Sequence, residues 1–319
     1  MTASNPFRIV HGQAARLDFP AGCVVTLGNF DGVHLGHQAL IRAAAQAARE
    51  RALPLVVMLF EPLPREFFHP AAPVARLTRL RERVSFIQAI GGVDVLWVLP
   101  FNSALAALSA EAFVTRLLVQ RLRTRAIWIG DDFRFGHRRQ GDFALLAHLG
   151  AQAGFTVSAA PTCLVGGERV SSTRIRAHLQ AGELVAARDL LGRAMTLCGR
   201  VIHGDKRGRQ LGFPTANIAL HRRLSPLQGV FAVVMSLPDH QQFRGVANIG
   251  TRPTVDGQTA RLEVHLFDFA ESLYGQSVQV VFLARLRAEQ KFESLDALVA
   301  QIRCDVVAAQ DFFADEPNP

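Results

Sequence analysis

The chain has 319 residues, about twice the size of an average domain, so two domains are expected. Hydrophobic residues make up 49% and charged residues 19%, which excludes a disordered or fibrous chain. No uninterrupted apolar run approaches the ~18 residues of a membrane span, and the net charge of +8 favours an anionic partner, whether nucleic acid or a phosphate-bearing metabolite.

Arginine carries nearly all of the positive charge, since the lysines are Lys206 and Lys291. Arg76, Arg79, Arg81 and Arg83 are expected as solvated helix surface. Met1–Gln13 lacks a basic flank followed by an apolar run, so no secretory signal and a cytoplasmic location are expected. Cys23, Cys163, Cys198 and Cys304 have no CxxC spacing, which predicts free, mostly buried thiols rather than a zinc site or a disulfide framework.

In chain order, β-rich runs at Cys23–Leu27, Leu55–Phe60, Val93–Leu99, Ala126–Ile129 and Phe155–Ala159 alternate with helical spacing at Gly36–Leu53, Arg76–Ile90, Ser109–Leu122 and Asp142–Ala153. That alternation predicts βαβ units wound into a parallel, Rossmann-like α/β sheet, whose ligands bind beyond the carboxyl ends of the strands. Two further helices follow, Ser171–Ala181 and Glu183–Leu191. The pattern then turns to strands: Thr196–Ile202, Ala216–Ala219, Val230–Leu237, Phe243–Ile249, Arg261–Phe267 and Val278–Leu283, closed by one helix, Leu295–Phe313. A six-stranded antiparallel β-barrel with a terminal helix is the expected architecture, with the domains divided as 1–187 and 188–319. Pro70–Pro73 and Arg222–Gln228 read as loops.

The first strand ends in Gly28-Asn29-Phe30-Asp31-Gly32-Val33-His34-Leu35-Gly36-His37. Histidines three apart share one face of an opening helical turn, whose free N–H groups and dipole already favour phosphate. Two imidazole donors aimed at one point suit charge developing on a transferred phosphorus, and Gly28, Gly32 and Gly36 let backbone approach a nucleotide. Gly130-Asp131-Asp132-Phe133-Arg134-Phe135-Gly136 follows another strand end. Ser171-Ser172-Thr173-Arg174-Ile175-Arg176 opens a helix with hydroxyls and a basic fork suited to a triphosphate, and it reads equally as an ordinary N-cap with surface arginines.

In the second half, Gly204-Asp205-Lys206-Arg207-Gly208-Arg209-Gln210-Leu211-Gly212-Phe213-Pro214-Thr215-Ala216-Asn217 packs glycines and basic residues before a short strand. Thr215 and Asn217, two apart, would face one side and offer neutral oxygens to a hard cation such as Mg²⁺. Without more, they serve as well as turn and edge residues. In Leu262-Glu263-Val264-His265-Leu266-Phe267, Glu263 and His265 share the face opposite the apolar residues.

The histidine run resembles the HxGH signature of nucleotidyltransferases, and its longer form GNFDGVHLGH is similar to the FMN adenylyltransferase module of bacterial bifunctional riboflavin kinase/FAD synthetases. The loop ending in PTAN resembles the riboflavin kinase signature of the same enzymes, and the resemblance covers nearly the whole chain. It implies that ATP phosphorylates riboflavin to FMN in the barrel and adenylylates FMN to FAD in the first domain, with Mg²⁺ accompanying ATP. By carry-over, His34 and His37 contact ATP phosphates, and Gly28, Asn29, Phe30, Asp31, Gly36, Ser172, Thr173 and Arg176 bind that nucleotide. Asp132 and Phe133 line the FMN pocket. In the barrel, Gly204, Lys206, Arg207 and Gly212 form the phosphate loop, Thr215 and Asn217 hold the metal and ATP, Glu263 is the base for the ribityl hydroxyl, and Arg287 is a flavin-pocket candidate.

This chain departs from the family pattern at two positions. Leu63 stands where members often carry a third histidine, and Phe231 stands where tyrosine is usual. A single-activity nucleotidyltransferase would not explain the PTAN run or Glu263. An RNA-binding barrel would want exposed aromatics among its basic residues, so neither nucleic acid nor membrane is an expected partner.

Overall fold

The computed structural model describes residues 7–13, 17–204, 208, 211–254 and 257–316. By contact the chain forms two compact units, Met1–Val74 with Thr78–Ser171, and Ala75–Leu77 with Ser172–Pro319. Among the described residues no helix is long and apolar enough to cross a membrane.

In the first unit, β1 (Arg8–His11), β2 (Cys23–Gly28), β3 (Leu55–Glu61), β4 (Val95–Pro100), β5 (Thr124–Ile129) and β6 (Thr156–Ala159) form one sheet ordered β1-β4-β3-β2-β5-β6. Every pairing in it is parallel. Its strands read as continuous apolar runs because both faces are covered. Val25, Leu27, Val56, Met58, Trp97 and Ile127 pack on one side. Val24, Leu55, Val57, Leu59, Leu96 and Ala126 pack on the other, against Ile41, Ala44 and Ala48 of α1 (Leu35–Glu50). Strand order reverses at β2, so the crevice for a ligand opens beyond the carboxyl ends of β2 and β5.

All five expected strands are present, and β1 was missed because four residues carry too little alternation to register. Between β3 and β4 lie a short α2 (Pro64–Phe68) and α3, which begins at Leu80 rather than Arg76 and runs to Ile90. Thr78 gives its amide to the Asp31 carboxylate at 2.9 Å, and the helix begins after the N-cap at Arg79. The stretch expected as one helix over Ser109–Leu122 follows a short α4 (Ser103–Ala106) and starts as α5 (Ala110–Phe113), capped by the Ser109 hydroxyl. It then widens over Val114–Arg121, ending with Leu122 N–H bonded five residues back to Leu117 at 3.2 Å. Asp142 caps α6 (Phe143–Ala153), and a two-strand hairpin, β7 (Leu164–Val165) with β8 (Glu168–Arg169), precedes Ser171.

The second unit opens with α7 (Ser172–Ala181) and α8 (Leu184–Leu191). Its barrel closes in the order β10-β13-β12-β11-β14-β9, built from β9 (Met195–Ile202), β10 (Ala216–Ala219), β11 (Gly229–Ser236), β12 (Gln242–Thr254), β13 (Gly257–Leu266) and β14 (Ser277–Arg287). Every pairing is antiparallel. α9 (Leu295–Asp315), N-capped by Ser294, lays Ala309 and Phe313 against Val230, Ala232 and Val246. All six expected strands are found. β12 and β14 run past their expected ends and β13 begins before Arg261, because the β12–β13 ladder continues to Thr254 opposite Gly257 and the β11–β14 ladder to Val230 opposite Arg287.

All four cysteines are free, as expected, but only Cys23 is buried, while Cys163 and Cys198 are half-buried and Cys304 is exposed. Burial pushes the Cys23 thiol up to about 12.

Candidate active sites

The turn between β2 and α1 is held in unusual backbone conformations. Phe30 and Val33 have φ of 49° and 42°, left-handed values rare for non-glycine residues, and both are fully buried. Such outliers persist only where surroundings over-determine them. Here the surroundings are a polar clamp: Thr78 Oγ1 receives the Gly32 N–H at 2.8 Å while donating to Asp31 at 3.2 Å. Asp31, read from sequence as a nucleotide contact, is 3% exposed and directed at Thr78.

Arg83 is the clearest correction to the sequence reading. Expected as solvated surface, it is fully buried, donating to the Asn29 carbonyl at 2.9 Å and pairing with Glu61 at the end of β3. A buried guanidinium is held only by such paired, charge-assisted contacts. The available signal was register, because Leu80, Arg83 and Ile87 fall on one helical stripe.

His34 N-caps α1, its Nδ1 accepting from the His37 N–H at 3.3 Å, which assigns the neutral ring's proton to Nε2. The two imidazoles stack at 3.5 Å between centroids, and Phe30 meets His37 edge-on at 5.3 Å. A Cβ on Gly36 would lie 3.3 Å from the His34 ring, so the glycine between the histidines keeps that ring in place. His37 Nδ1 is buried with no hydrogen-bond partner among the described residues. Burial, followed by the charges of His34 and Arg83, holds the His37 pKa well below its usual 6.5, so the ring is neutral at physiological pH.

A pH dependence follows. Below pH 6.5 the unfolded chain takes up a proton at residue 37 that the folded chain refuses, so stability is fully present above 6.5 and falls with pH toward the depressed folded value. The expected slope is about 1.4 kcal/mol per pH unit for one proton. Urea unfolding at pH 7 and pH 5.5 checks it, since His37→Gln should lose less stability across that interval than the parent. Equal losses would contradict the neutral buried ring.

Beyond β5, Asp131 accepts from Thr162 Oγ1 at 2.6 Å and from Arg169 at 2.5 Å, which lowers its pKa, chiefly through the Thr162 hydrogen bond. Asp132 remains largely exposed, within 3.0 Å of Arg169, and Phe133 stacks on Phe135 at 5.5 Å. The loop is thus pinned beside the β2 turn, because β2 and β5 are neighbours in the sheet. At the ends of β3 and β4, Phe60, Phe67, Phe68 and Phe101 form an edge-to-face aromatic cluster that sequence reading missed, with Phe68 56% exposed. Leu63 is buried beside it, an apolar filler where the family often has a histidine.

In the second unit, Ser172, Thr173 and Arg176 open α7, and Arg176 Nε donates to the Ala75 carbonyl at 2.8 Å. On the barrel, Glu263 of β13 pairs in register with Asn217 of β10 on one side and Asn248 of β12 on the other. Directly opposed residues share a face, so a carboxylate stands between two carboxamides. The strand alternates as expected: Leu262, Val264 and Leu266 are buried, whereas Glu263 and His265 lie half-exposed on the other face. His265 Nδ1 lies 2.9 Å from the Pro214 carbonyl, tying β13 to the residue before Thr215.

Two glycines fit the preceding loop against the Thr/Asn pair. A Cβ at Gly204 would sit 2.4 Å from the Asn217 carboxamide, and one at Gly208 would sit 3.2 Å from Thr215 Oγ1. Gly212 is exposed with φ of 87°. Lys206 and Arg207 lie outside the described residues. His203 and Tyr274, the only tyrosine in the chain, stack at 3.9 Å next to Gly204, an exposed ledge that sequence reading missed.

Among the described residues no group of three acidic, histidine or cysteine side chains could hold a metal. Thr215 and Asn217 offer two neutral oxygens, a set that suits a hard cation bringing phosphate oxygens and water as its other ligands. Arg287, expected in the flavin pocket, grips Asp305 of α9 with Nε and Nη2, both at 2.8 Å, so its guanidinium fastens the terminal helix to β14. Phe231 is fully buried and packs edge-to-face on Phe282, 5.4 Å between ring centroids, an apolar contact that a phenyl ring makes without the hydroxyl.

Comparison with known proteins finds a family for each half of the chain. Family models described as FAD synthetase and riboflavin kinase match residues 17–174 and 191–313. A bifunctional riboflavin kinase/FMN adenylyltransferase of Escherichia coli (strain K12) is 49% identical over 92% of this chain and 93% of its own length. One of the same description from Pseudomonas fluorescens is 50% identical, covering 91% and 92%. A crystal structure of a macrolide-efflux protein from Streptococcus pneumoniae superposes with a TM-score of 0.78 at 34% identity, over 94% of this chain and 97% of that one.

Proposed function

Because the chain belongs to the bifunctional riboflavin kinase/FMN adenylyltransferase family, we propose that it converts riboflavin to FMN in its barrel and FMN to FAD at its histidine turn. The observation that carries this reading is one chain with two separate phosphate-directed turns, each beside groups suited to its own step: stacked histidines in one, a carboxylate between carboxamides in the other.

In the barrel, Glu263 takes the proton from the ribityl 5′-hydroxyl as that oxygen attacks the γ-phosphorus of ATP, and ADP leaves. Asn217 and Asn248 flank and orient the carboxylate. Thr215 and Asn217 would hold the Mg²⁺ that accompanies ATP, which would supply charge neutralisation for the phosphates, and Gly204 and Gly212, with Lys206 and Arg207 of the same sequence run, would serve as the phosphate loop. At the other site a phosphate oxygen of FMN attacks the α-phosphorus of ATP and pyrophosphate leaves. His34 and His37, on the first turn of α1, donate to the charge that develops. Gly28, Asn29, Phe30 and Gly36 shape that turn, Ser172, Thr173 and Arg176 bind ATP, and Asp132 and Phe133 face the flavin. ATP as co-substrate supports a cytoplasmic location.

The domain division is proposed at 187/188, a cut that falls inside α8. One experiment tests both claims: chromatography of products from riboflavin, ATP and Mg²⁺ with the whole chain and with fragments starting at 172 and at 188. FMN followed by FAD is expected from the whole chain, and FMN alone from the fragments. No FMN from the whole chain would overturn the function. Activity from the 172 fragment but not a folded 188 fragment would move the boundary ahead of α7.

A further inference from the structure

The histidine turn is held from residues 78–83, a stretch that runs from ahead of the Arg79 N-cap into the first turn of α3. At its start Thr78 takes the Gly32 N–H on its hydroxyl at 2.8 Å and gives its own amide to Asp31 at 2.9 Å. At its end Arg83 donates Nη1 to the Asn29 carbonyl at 2.9 Å and pairs with Glu61. These anchors bracket Phe30, whose φ of 49° is left-handed. A phenylalanine keeps that conformation only where the chain on both sides of it is held.

Phe30 carries the constraint on to the histidines. Its ring is fully buried, meets His37 edge-on at 5.3 Å and would lie 3.3 Å from a Cβ on Gly28. His37 in turn stacks on His34 at 3.5 Å, and His34 accepts the His37 N–H. The path from Arg83 to both imidazoles is therefore one carbonyl and one ring long, all of it in the first unit. The guanidinium also acts on His37 through its charge, which, after burial and His34, helps to hold that ring's pKa low and the ring neutral.

We propose that Arg83 is a positioning residue for adenylyl transfer: through the Asn29 carbonyl and Phe30 it sets where His34 and His37 present their donors. The proposal rests on the reading of those two rings as donors to the charge that develops on phosphorus. Stability alone gives little reason for the residue. A guanidinium with no exposure has lost its hydration, and apolar side chains in place of a buried ion pair often serve a fold as well or better. No apolar side chain can hold a carbonyl. What Arg83 adds is a fixed backbone oxygen one residue ahead of the left-handed Phe30.

The test uses the full chain. Arg83→Met is expected to lower kcat for adenylylation of supplied FMN on the order of 10²-fold, with the KM for ATP changed far less and riboflavin phosphorylation within about twofold of the parent. The loss falls on kcat because the donors act on charge that develops in the transition state. Arg83→Met also removes the guanidinium that pairs with Glu61, so Tm should fall as well. Arg83→Met/Glu61→Met replaces both partners with apolar side chains and is expected to recover Tm while kcat stays low; where the single variant folds poorly, the double variant carries the comparison. A kcat that returns together with Tm would reduce Arg83 to general support and overturn the role. Glu61→Gln keeps an oxygen for the guanidinium and should hold kcat close to the parental value. A loss as large as that of Arg83→Met would assign the effect to the carboxylate and overturn the role too. The two layers of the argument separate through His34→Ala/His37→Ala. If that variant makes FAD at the parental rate, the reading of the histidine turn falls and the proposal with it. If it is slow while Arg83→Met keeps the parental kcat, only the positioning role is overturned.

Discussion

Replacing Glu263 with glutamine is expected to lower riboflavin phosphorylation ~10²–10⁴-fold while adenylylation of supplied FMN proceeds at the parental rate. A primary alcohol is a weak nucleophile at neutral pH, so a carboxylate that accepts its proton as the bond to phosphorus forms contributes directly to turnover. Glutamine keeps the size and one hydrogen-bonding oxygen but cannot take that proton. The register of β10, β13 and β12 keeps Asn217 and Asn248 beside residue 263 whichever side chain stands there, so the metal and ATP contacts proposed for Thr215 and Asn217 should be kept. The KM for Mg·ATP should change little while kcat falls, a split that separates a base from a metal ligand. Steady-state kinetics decide the matter, and a glutamine variant with the parental rate would leave Glu263 an ordinary strand residue.

The complementary expectation concerns His34 and His37. Alanine at both positions should suppress FAD formation by on the order of 10²-fold or more per donor lost, with FMN formation nearly intact because the phosphate loop proposed for the barrel does not use these residues. His34 also caps α1, and losing a cap costs about 1 kcal/mol, so a control is needed. His34→Asn can still cap the helix but has no imidazole donor, and with His37 kept it should show the loss for one donor, on the order of 10²-fold, with a smaller change in Tm than His34→Ala. Unchanged FAD production from supplied FMN in the double-alanine variant would remove the histidines from the reaction.

The legible parts of this fold were those written in periodicity. Apolar runs such as Leu55–Phe60 and alternating ones such as Arg261–Phe267 declare buried and half-buried strands, and the change from one pattern to the other marks where the architecture changes. Sequence spacing also placed Glu263 and His265 on one face. What stayed hidden depends on partners far away in the chain. Nothing near Arg83 announces that Asn29 and Glu61 will receive its guanidinium, and a charged residue on an otherwise apolar helical stripe is discounted by any composition rule. Asp31 and Arg287, read from motif position as ligand contacts, carry hydrogen bonds that spacing did not announce: they engage Thr78 and Asp305, 47 and 18 residues away in sequence. Asn248 escaped notice because its relation to Glu263 exists only across a strand pairing.

The buried Arg83 also determines which changes the first unit tolerates. Substitution maps normally show helix surfaces as permissive and apolar cores as selective by size alone. On α3 the restrictive position is a polar one. Its fork spans a backbone carbonyl and a carboxylate held on different chain segments. Lysine, a single rotatable point charge, cannot present that fork, and an apolar residue removes the guanidinium that pairs with Glu61. The charge-conserving swap that a similarity matrix rates mildest is therefore expected to rank among the least tolerated in the unit, and drift at Glu61 would have to occur in step with drift at Arg83.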